Sequence, residues 1–157
     1  MDAENLLYLD LEGGRVTIEL YEDVAPMHVK RIKELARQGF YDGLTFHRVI
    51  DGFMAQGGDP DGTGMGGSGQ NIPAEFSDKP HHRGACSMAR AQDPNSADSQ
   101  FFICFGDATF LDGQYSVWGQ VIDGMEYVDD LKRGEGMNFS MNGNPDKIVK
   151  MQVAADA

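Results

Sequence analysis

The apolar residues of this chain are grouped in short runs, and in the first two runs they alternate with polar or amphipathic residues. The apolar positions are Leu7, Leu9 and Leu11 in the first run, and Val16, Ile18 and Leu20 in the second. Alternation with a period of two brings such side chains to one face of a β-strand. Because Gly13 and Gly14 separate the two runs, the pattern predicts an antiparallel β-hairpin.

Two segments have the residue spacing of amphipathic helices. The first begins at Pro26, which suits the first turn of a helix, and ends near Gly39, which suits the C-terminal cap. The second ends near Gly134 and is marked by apolar residues at helical spacing, Met125, Val128 and Leu131.

The remaining apolar runs are short and predict further strands near residues 45–49, 53–56, 85–88, 101–105, 117–122 and 147–153. Between them, residues 57–84 are rich in glycine and poor in apolar periodicity, which predicts a long excursion without regular structure. Many short strands with only two helices predict a mainly β fold, and closure into an antiparallel barrel is the expected architecture.

Composition and charge restrict the classes of function. The 157 residues fit one domain, residues 1–157, with 41% hydrophobic and 24% charged residues, as is usual for globular chains. A net charge of −12 would repel a phosphate backbone, so no nucleic-acid partner is expected. No apolar run reaches the length of a membrane span. The acidic N-terminal residues lack the features of a secretory signal, so a cytoplasmic location is expected.

Three motifs carry most of the functional information. The first is Phe-His-Arg-Val-Ile-Asp-Gly-Phe-Met-Ala-Gln-Gly-Gly-Asp at residues 46–59, the second is Ser-Gln-Phe-Phe-Ile-Cys at 99–104, and the third is Phe-Leu-Asp-Gly at 110–113. Together they resemble the cyclophilins, which are peptidyl-prolyl cis–trans isomerases, and the resemblance runs from about residue 6 to residue 153. It implies an eight-stranded, closed antiparallel β-barrel with an α-helix over each open end, and an enzyme that assists protein folding.

The resemblance implies that Arg48 is the catalytic residue. Rotation about the peptide bond before proline breaks no covalent bond, so it requires neither a nucleophile nor a metal. In the twisted amide the prolyl nitrogen recovers a lone pair, and a fixed cation or donor near that nitrogen favours the transition state over both planar forms. The rigid fork of donors on an arginine suits this task better than a lysine does.

Other residues are implied to bind the substrate. An apolar pocket for the proline ring is implied at Phe53, Met54, Phe102 and Leu111. Consecutive side chains of a strand point to opposite faces, so Phe53 is the stronger of the first two candidates unless the strand bends. The chain that flanks the proline is implied to contact Gln56, Gln100 and the backbone of Ala89 and Arg90, with Phe110 and Tyr115 beside the pocket.

Three of these positions depart from the family pattern, and the changes at Tyr115 and Phe110 resemble bacterial members. Arg90 stands where asparagine is usual, and the change is expected to alter sequence preference because the backbone makes the main contact. Tyr115 stands where many eukaryotic members carry histidine. Phe110 replaces a tryptophan and lacks its indole N–H donor, so only weak cyclosporin binding is expected.

The histidines are given structural interpretations. His47 is next to Arg48, yet bond rotation needs no proton transfer, so we interpret it as a structural residue. His28, His81 and His82 lack the spacing of metal ligands and are predicted to lie at the surface. Two well-separated cysteines without a Cys-x-x-Cys motif, Cys86 and Cys104, are predicted to be buried as small apolar residues, and the sequence leaves open whether they approach each other.

No metal or other cofactor is expected. Residues 59–70 begin like an EF-hand loop, but Gln70 occupies the position that requires a bidentate glutamate, and no helices flank the segment. One alternative of a different class stays open, namely a peptide-binding module or chaperone that has this scaffold but negligible turnover. The presence of Arg48 argues against it, because proline binding alone does not need that cation.

The expected partners are proline-containing peptides and folding proteins, and a monomer is expected.

Overall fold

The computed structural model describes residues 2–62, 66–134 and 145–157. Within these ranges it contains eight strands: β1 (Leu6–Leu11), β2 (Arg15–Leu20), β3 (Arg48–Ile50), β4 (Met54–Gly57), β5 (Ala85–Met88), β6 (Phe101–Cys104), β7 (Val117–Asp123) and β8 (Ile148–Val153). Its α-helices are α1 (Pro26–Arg37) and α2 (Met125–Asp129). Short 3-10 helices lie at Ala3–Asn5, Thr109–Leu111 and Ala154–Asp156.

The predicted hairpin is confirmed by antiparallel pairing of β1 with β2. Alternate residues of both strands are buried, as the period of two predicts. The turn between the strands also makes a tertiary contact, because the ring of Tyr127 from α2 lies against Gly14. A side chain at residue 14 would meet that ring at 2.6 Å, so the close packing of α2 on the hairpin requires glycine there.

The strands form one sheet in the order β3-β4-β6-β5-β7-β2-β1-β8, with antiparallel pairing throughout. The closed barrel expected from the sequence is not confirmed, because β3 and β8 are the edge strands of a curled sheet. The chain just before β3 meets the start of β8 through an isolated bridge between Thr45 and Lys147. Hydrogen bonds from the Phe46 N–H to the Asp146 carbonyl (2.9 Å) and from the Ile148 N–H to the Leu44 carbonyl (2.8 Å) accompany this bridge.

Helix α1 begins at Pro26 and packs against β7 and β8. The carboxylate of Glu75 accepts hydrogen bonds from the backbone N–H groups of Met27 (3.2 Å) and His28 (2.8 Å), which satisfies donors of the first turn. The prediction of a surface position for His28 is wrong, since its ring is fully buried and contacts Glu75 at 2.6 Å. No helix in the described ranges is long and apolar enough to cross a membrane.

Helix α2 is shorter than the sequence predicts. It ends at Asp129, whereas the pattern extended to Gly134. The physical reason is competition for the backbone of Gly134, whose N–H and carbonyl both pair with Val49 on β3 (2.9 and 2.7 Å). The chain must therefore leave the helix before that residue. Leu131 is buried, but it belongs to the segment that follows the helix.

Two clusters of buried side chains lie on opposite faces of the sheet. Along β6, Phe101 and Ile103 enter the large core, while Phe102 and Cys104 enter a small cluster that also contains Met54. The predicted burial of both cysteines is confirmed, and both thiols are free. Cys86 belongs to the large core and Cys104 to the small cluster, so the two sulfurs face opposite sides of the sheet. Burial raises the pKa of the Cys104 thiol to about 12.

Two glycines with nearly equal backbone angles provide a test of this packing. Gly124 (φ +84°) precedes α2, and a Cβ there would overlap the carbonyl of Arg15 on β2. At Gly43 (φ +83°), no atom of the described residues lies within 4 Å of the Cβ position. Alanine should cost about 1–2 kcal/mol of unfolding free energy at either site because of the left-handed backbone. Gly124→Ala should cost about 1–3 kcal/mol more because of the overlap. Urea unfolding of the two variants measures the difference, and equal losses would contradict the described packing of α2 against β2.

Candidate active site

The small cluster opens into a pocket of about 140 Å³. Nine residues line this pocket, and all of them were candidates from the sequence: Arg48, Phe53, Met54, Gln56, Ala89, Arg90, Phe102, Leu111 and Tyr115. The structure thus brings together residues from widely separated parts of the chain. Apolar walls with a few polar groups at the edge are typical of sites that bind small ligands or side chains.

Strand register places the central residues of the pocket in one row. Arg48 on β3 is paired with Gln56 on β4, and Gln56 is paired with Phe102 on β6. Directly paired residues of neighbouring strands project from the same face of a sheet. The guanidinium, the amide and the aromatic ring therefore lie side by side on the face opposite the large core.

Phe53 and Met54 both line the pocket although they are consecutive in sequence. The expectation that only one of them would do so assumed that both belong to a strand. Phe53 instead lies in the turn that precedes β4, so strand alternation does not apply to it. Met54 is almost fully buried at the base of the pocket, while Phe53 is half-buried.

A chain of side-chain hydrogen bonds connects the pocket to the neighbouring surface. The Arg48 guanidinium donates to Gln56 Oε1 (3.3 Å), Gln56 Nε2 donates to Gln100 Oε1 (2.9 Å), and Gln100 Nε2 donates to the carbonyl of Gly66 (2.9 Å). Each amide oxygen faces the preceding donor, so the orientations of both glutamines depend on each other. Gln56 in turn holds the guanidinium at the edge of the pocket.

Gln100 does not line the pocket but an adjoining polar groove of about 450 Å³. The groove and the pocket share Gln56, Ala89 and Arg90, so they form one continuous depression. The groove is also lined by residues that the sequence reading did not single out, namely Gly66, Gly67, Asn71, Ala91, Ser96 and Asp98. An extended chain with a side chain in the pocket would therefore run into the groove.

Phe110 lies at the rim of the pocket rather than in its wall. Its side chain belongs to the 3-10 helix Thr109–Leu111 and is 67% exposed. The ring centroid is 5.7 Å from that of Phe53, so the two rings form an aromatic edge above Leu111. This exposed ring extends the apolar surface of the pocket toward solvent.

His81 supports the pocket from below, and the prediction that it lies at the surface is wrong. Its backbone N–H donates to the Asp112 carboxylate (2.7 Å), its Nδ1 lies 2.9 Å from the same oxygen, and its carbonyl accepts from the Ala108 N–H (2.8 Å). Its Nε2 lies 3.0 Å from the Ser87 hydroxyl. The residue therefore fastens both ends of the 3-10 helix that carries Phe110 to the sheet.

The ring of the same histidine packs under the pocket. It stacks on Phe102 at a centroid distance of 6.0 Å and meets Tyr115 edge-on at 6.4 Å. The hydrogen bonds from His81, first from its backbone and then from its ring, lower the pKa of Asp112 below its ordinary value. No motif marks this residue, because it lies in a polar run and contacts its partners only after folding. His82, by contrast, is exposed as predicted.

His47 is buried and does not line the pocket. Burial lowers the pKa of its ring, and the positive charge of Arg48 acts in the same direction; Asp59, Gln100 and the backbone of Thr45 oppose the shift. Neither ring nitrogen has a hydrogen bond of good geometry within the described ranges. The interpretation as a structural histidine rests on this burial.

In the part of the chain that the structure describes, no group of three or more His, Cys, Asp or Glu side chains is placed to hold a metal ion. The segment 59–70, which begins like an EF-hand loop, includes residues 63–65, which are outside the described ranges.

Comparison with known proteins identifies the family. The family model described as "Cyclophilin type peptidyl-prolyl cis-trans isomerase/CLD" matches residues 6–153. The chain belongs to the cyclophilin family. A probable peptidyl-prolyl cis-trans isomerase of Brucella suis is 49% identical over 99% of this cyclophilin and 85% of its own length. The peptidyl-prolyl cis-trans isomerase B of Bacillus subtilis is 44% identical over 80% of this chain and 89% of its own.

Solved structures agree with this assignment. The cyclophilin AquaCyp293 of Hirschia baltica superposes with a TM-score of 0.88 at 30% identity, over all of this chain and 76% of the other. A cyclophilin-type isomerase of Cryptosporidium parvum, crystallised in the presence of the dipeptide Ala-Pro, has a TM-score of 0.85 at 31% identity. That match covers 94% of this cyclophilin and 98% of the other chain. The chain is thus an isomerase of the cyclophilin type, with the family's mainly β fold.

The buried His47 leads to a prediction about pH and stability. Because its pKa is lower in the folded protein than the ordinary value of about 6.5, the unfolded chain binds more protons as the pH falls below that value. The folded state should therefore lose stability between about pH 6.5 and the lower pKa of the folded ring. Burial also lowers the pKa of His28, so two residues contribute to this loss.

The variant His47→Gln should reduce the slope of unfolding free energy against pH in this range without abolishing it. Chemical unfolding at several values between pH 7 and pH 5 measures the slope. The exposed His82→Gln serves as the matched control and should retain the wild-type slope. An unchanged slope in His47→Gln, or a rate defect that depends steeply on pH, would contradict the structural interpretation.

Proposed function

We propose that the pocket is the active site in which this cyclophilin accelerates rotation about Xaa-Pro peptide bonds, with Arg48 as the catalytic residue. The observation that carries the proposal is the position of the guanidinium, held by Gln56, in the wall of a small pocket that is also lined by apolar side chains. A charged donor beside an apolar pocket is what this reaction requires, because one part of the substrate is an apolar ring and the other is a polarised amide.

The chemical problem is a rotational barrier. Amide resonance produces a barrier of about 18–20 kcal/mol, which makes uncatalysed rotation slow. An enzyme lowers the barrier only through interactions that are stronger in the twisted amide than in the planar forms. In the twisted state the prolyl nitrogen becomes pyramidal and can accept a hydrogen bond. The Arg48 donors are assigned to this nitrogen, and Gln56 is assigned a positioning role through its oxygen.

The pocket walls are assigned to the proline ring and the groove to the flanking chain. Phe53, Met54, Phe102 and Leu111 supply the apolar surface that holds the ring while the preceding carbonyl turns. Gln56 and Gln100 are placed to bond peptide groups of the flanking chain. The N–H of Ala89 already donates to the Gln100 carbonyl (2.9 Å), so we assign pairing with the substrate backbone to the carbonyl of Ala89.

The proposal extends to partners and context. We infer that the substrates are proline-containing peptides and folding proteins, and that the chain acts as one domain and as a monomer. The reaction makes and breaks no covalent bond, so the proposed mechanism uses no metal or cofactor. A cytoplasmic location is proposed, and two free, buried thiols are compatible with a reducing compartment.

Removal of the guanidinium tests the catalytic assignment. Arg48→Ala should fold normally and lose about 100–1,000-fold in kcat/KM on a short Xaa-Pro peptide, which is the usual cost of one preorganised charged donor. A protease-coupled rotation assay measures turnover, and Arg15→Ala, a partly exposed arginine that lines neither the pocket nor the groove, is the control. Near-wild-type turnover of Arg48→Ala would refute the assignment. Negligible turnover of the wild type with retained peptide binding would support the peptide-binding alternative.

Phe110 provides a separate test of the pocket rim. Phe110→Trp adds an indole donor and a larger apolar face, which together contribute about 1–3 kcal/mol to a ligand that covers the rim. Cyclosporin should therefore bind more tightly, while turnover of a small Xaa-Pro peptide changes less, because its proline ring lies deeper in the pocket. Inhibition constants and turnover measure both effects.

The control for this experiment is Phe76→Trp, which makes the same chemical change at another exposed phenylalanine that lines neither cavity. If Phe110→Trp folds normally and binds cyclosporin no better than the control, Phe110 is not at the mouth of the active site.

A further inference from the structure

Arg90 occupies the junction between the pocket and the groove. Its side chain is half-buried and lines both cavities, together with Gln56 and Ala89. A charged side chain at this point is next to any residue that flanks a proline in the pocket. The charge is also opposite in sign to the net charge of the chain, which is −12.

The guanidinium of Arg90 is fixed by neutral groups. It donates twice to the carbonyl of Gln114 (3.1 and 2.7 Å) and once each to the carbonyls of Ala91 (2.9 Å) and Gln92 (3.2 Å). Its central carbon lies 4.6 Å from the centre of the Tyr115 ring, in a cation–π arrangement. These contacts use four of the five guanidinium N–H groups and hold the side chain in place.

The positive charge is not neutralised by these contacts. Within the described ranges, the salt bridges that place a carboxylate within 4 Å of a cation do not include Arg90. Carbonyl dipoles and an aromatic face orient the guanidinium, but because these groups are neutral, its formal charge of plus one remains. All of the hydrogen-bond acceptors named for Arg90 are uncharged carbonyl oxygens, so an acidic side chain in the groove would still meet a positive charge.

The acidic residue of the groove does not offset this charge by pairing with it. Asp98 accepts hydrogen bonds from the backbone N–H (2.7 Å) and hydroxyl (2.5 Å) of Ser68 and from the N–H of Gly69 (3.0 Å). Both oxygens are thus engaged by the loop on the far side of the groove. The other side chains that line the groove, such as Asn71 and Ser96, are uncharged.

We infer that Arg90 is a specificity-determining residue that favours substrates with an aspartate or glutamate close to the proline, on the side of the chain that enters the groove. The inference rests on the proposed function of the pocket. An acidic side chain in the groove meets a preorganised cation at short range, where attraction exceeds the screened repulsion from the distant acidic surface. Asp98 keeps its negative charge in the same groove, so the expected preference is small. A lysine at the same position of the substrate meets like charge instead.

The test uses short peptides that carry Glu, Gln or Lys at one of the two residues before or after proline. For the wild type, kcat/KM should be about 2- to 5-fold higher for the Glu peptide than for the Lys peptide at the responsive position, as expected for a partly exposed ion pair. The preference should weaken in 0.5 M salt. Arg90→Gln should abolish the preference and Arg90→Glu should reverse it, each variant being compared through its own Glu-to-Lys ratio.

Controls separate this inference from the proposed function. Arg15→Gln removes the same charge from a surface that lines neither cavity, and it should keep the wild-type ratio. Arg90→Lys keeps the charge and should retain part of the preference. If Arg90 only tethers Tyr115, its variants will lower turnover of all peptides alike and leave the ratios unchanged, which overturns the inference. Absence of wild-type turnover with the Gln peptides would instead count against the proposed function itself.

Discussion

The site depends on the register of β3, β4 and β6. Direct pairing of Arg48 with Gln56, and of Gln56 with Phe102, brings a cation, an amide and an aromatic ring into contact on one face of the sheet. Since side chains alternate along a strand, a shift by one residue would move all three groups into the large core. The neighbouring residues Val49, Ala55 and Ile103 are almost completely buried on the opposite face, so apolar burial on one side maintains the polar arrangement on the other.

The second requirement concerns the side of the pocket that Leu111 lines. No strand or α-helix of the described residues supports that side. The segment that carries Phe110 and Leu111 is only one turn of 3-10 helix, and the segment's position is set by polar contacts with His81. A buried histidine with partners for both ring nitrogens meets the general requirement that buried polar groups are hydrogen-bonded. The pocket is therefore built on a buried polar network, and its shape depends on groups, such as His81 and Asp112, that are not among its lining residues.

The sequence predicts the strands and the first helix well, because alternation and helical spacing are short-range signals. The residues that line the pocket were implied by the resemblance to the cyclophilins, which the three motifs carry. It does not predict contacts that depend on long-range folding. His28 and His81 are polar residues in polar surroundings along the chain, and only the partners Glu75 and Asp112, distant in sequence, explain their burial. The extent of α2 is overestimated for the same reason, since β3 competes for the backbone of Gly134. Closure of the sheet likewise depends on edge strands whose pairing no local pattern specifies.

The position of β1 in the sheet has a consequence for how the molecule is made. This strand lies between β2 and β8, and its residues 7–11 pair with residues 148–153 near the other end of the chain. During synthesis, β1 has its hairpin partner early but lacks its second neighbour until residues 148–153 have also left the ribosome. Sheets that depend on such distant pairing form slowly, because loop-closure entropy is lost before the contacts form. This isomerase of the cyclophilin type thus completes its own sheet only after residues 148–153 have been synthesised.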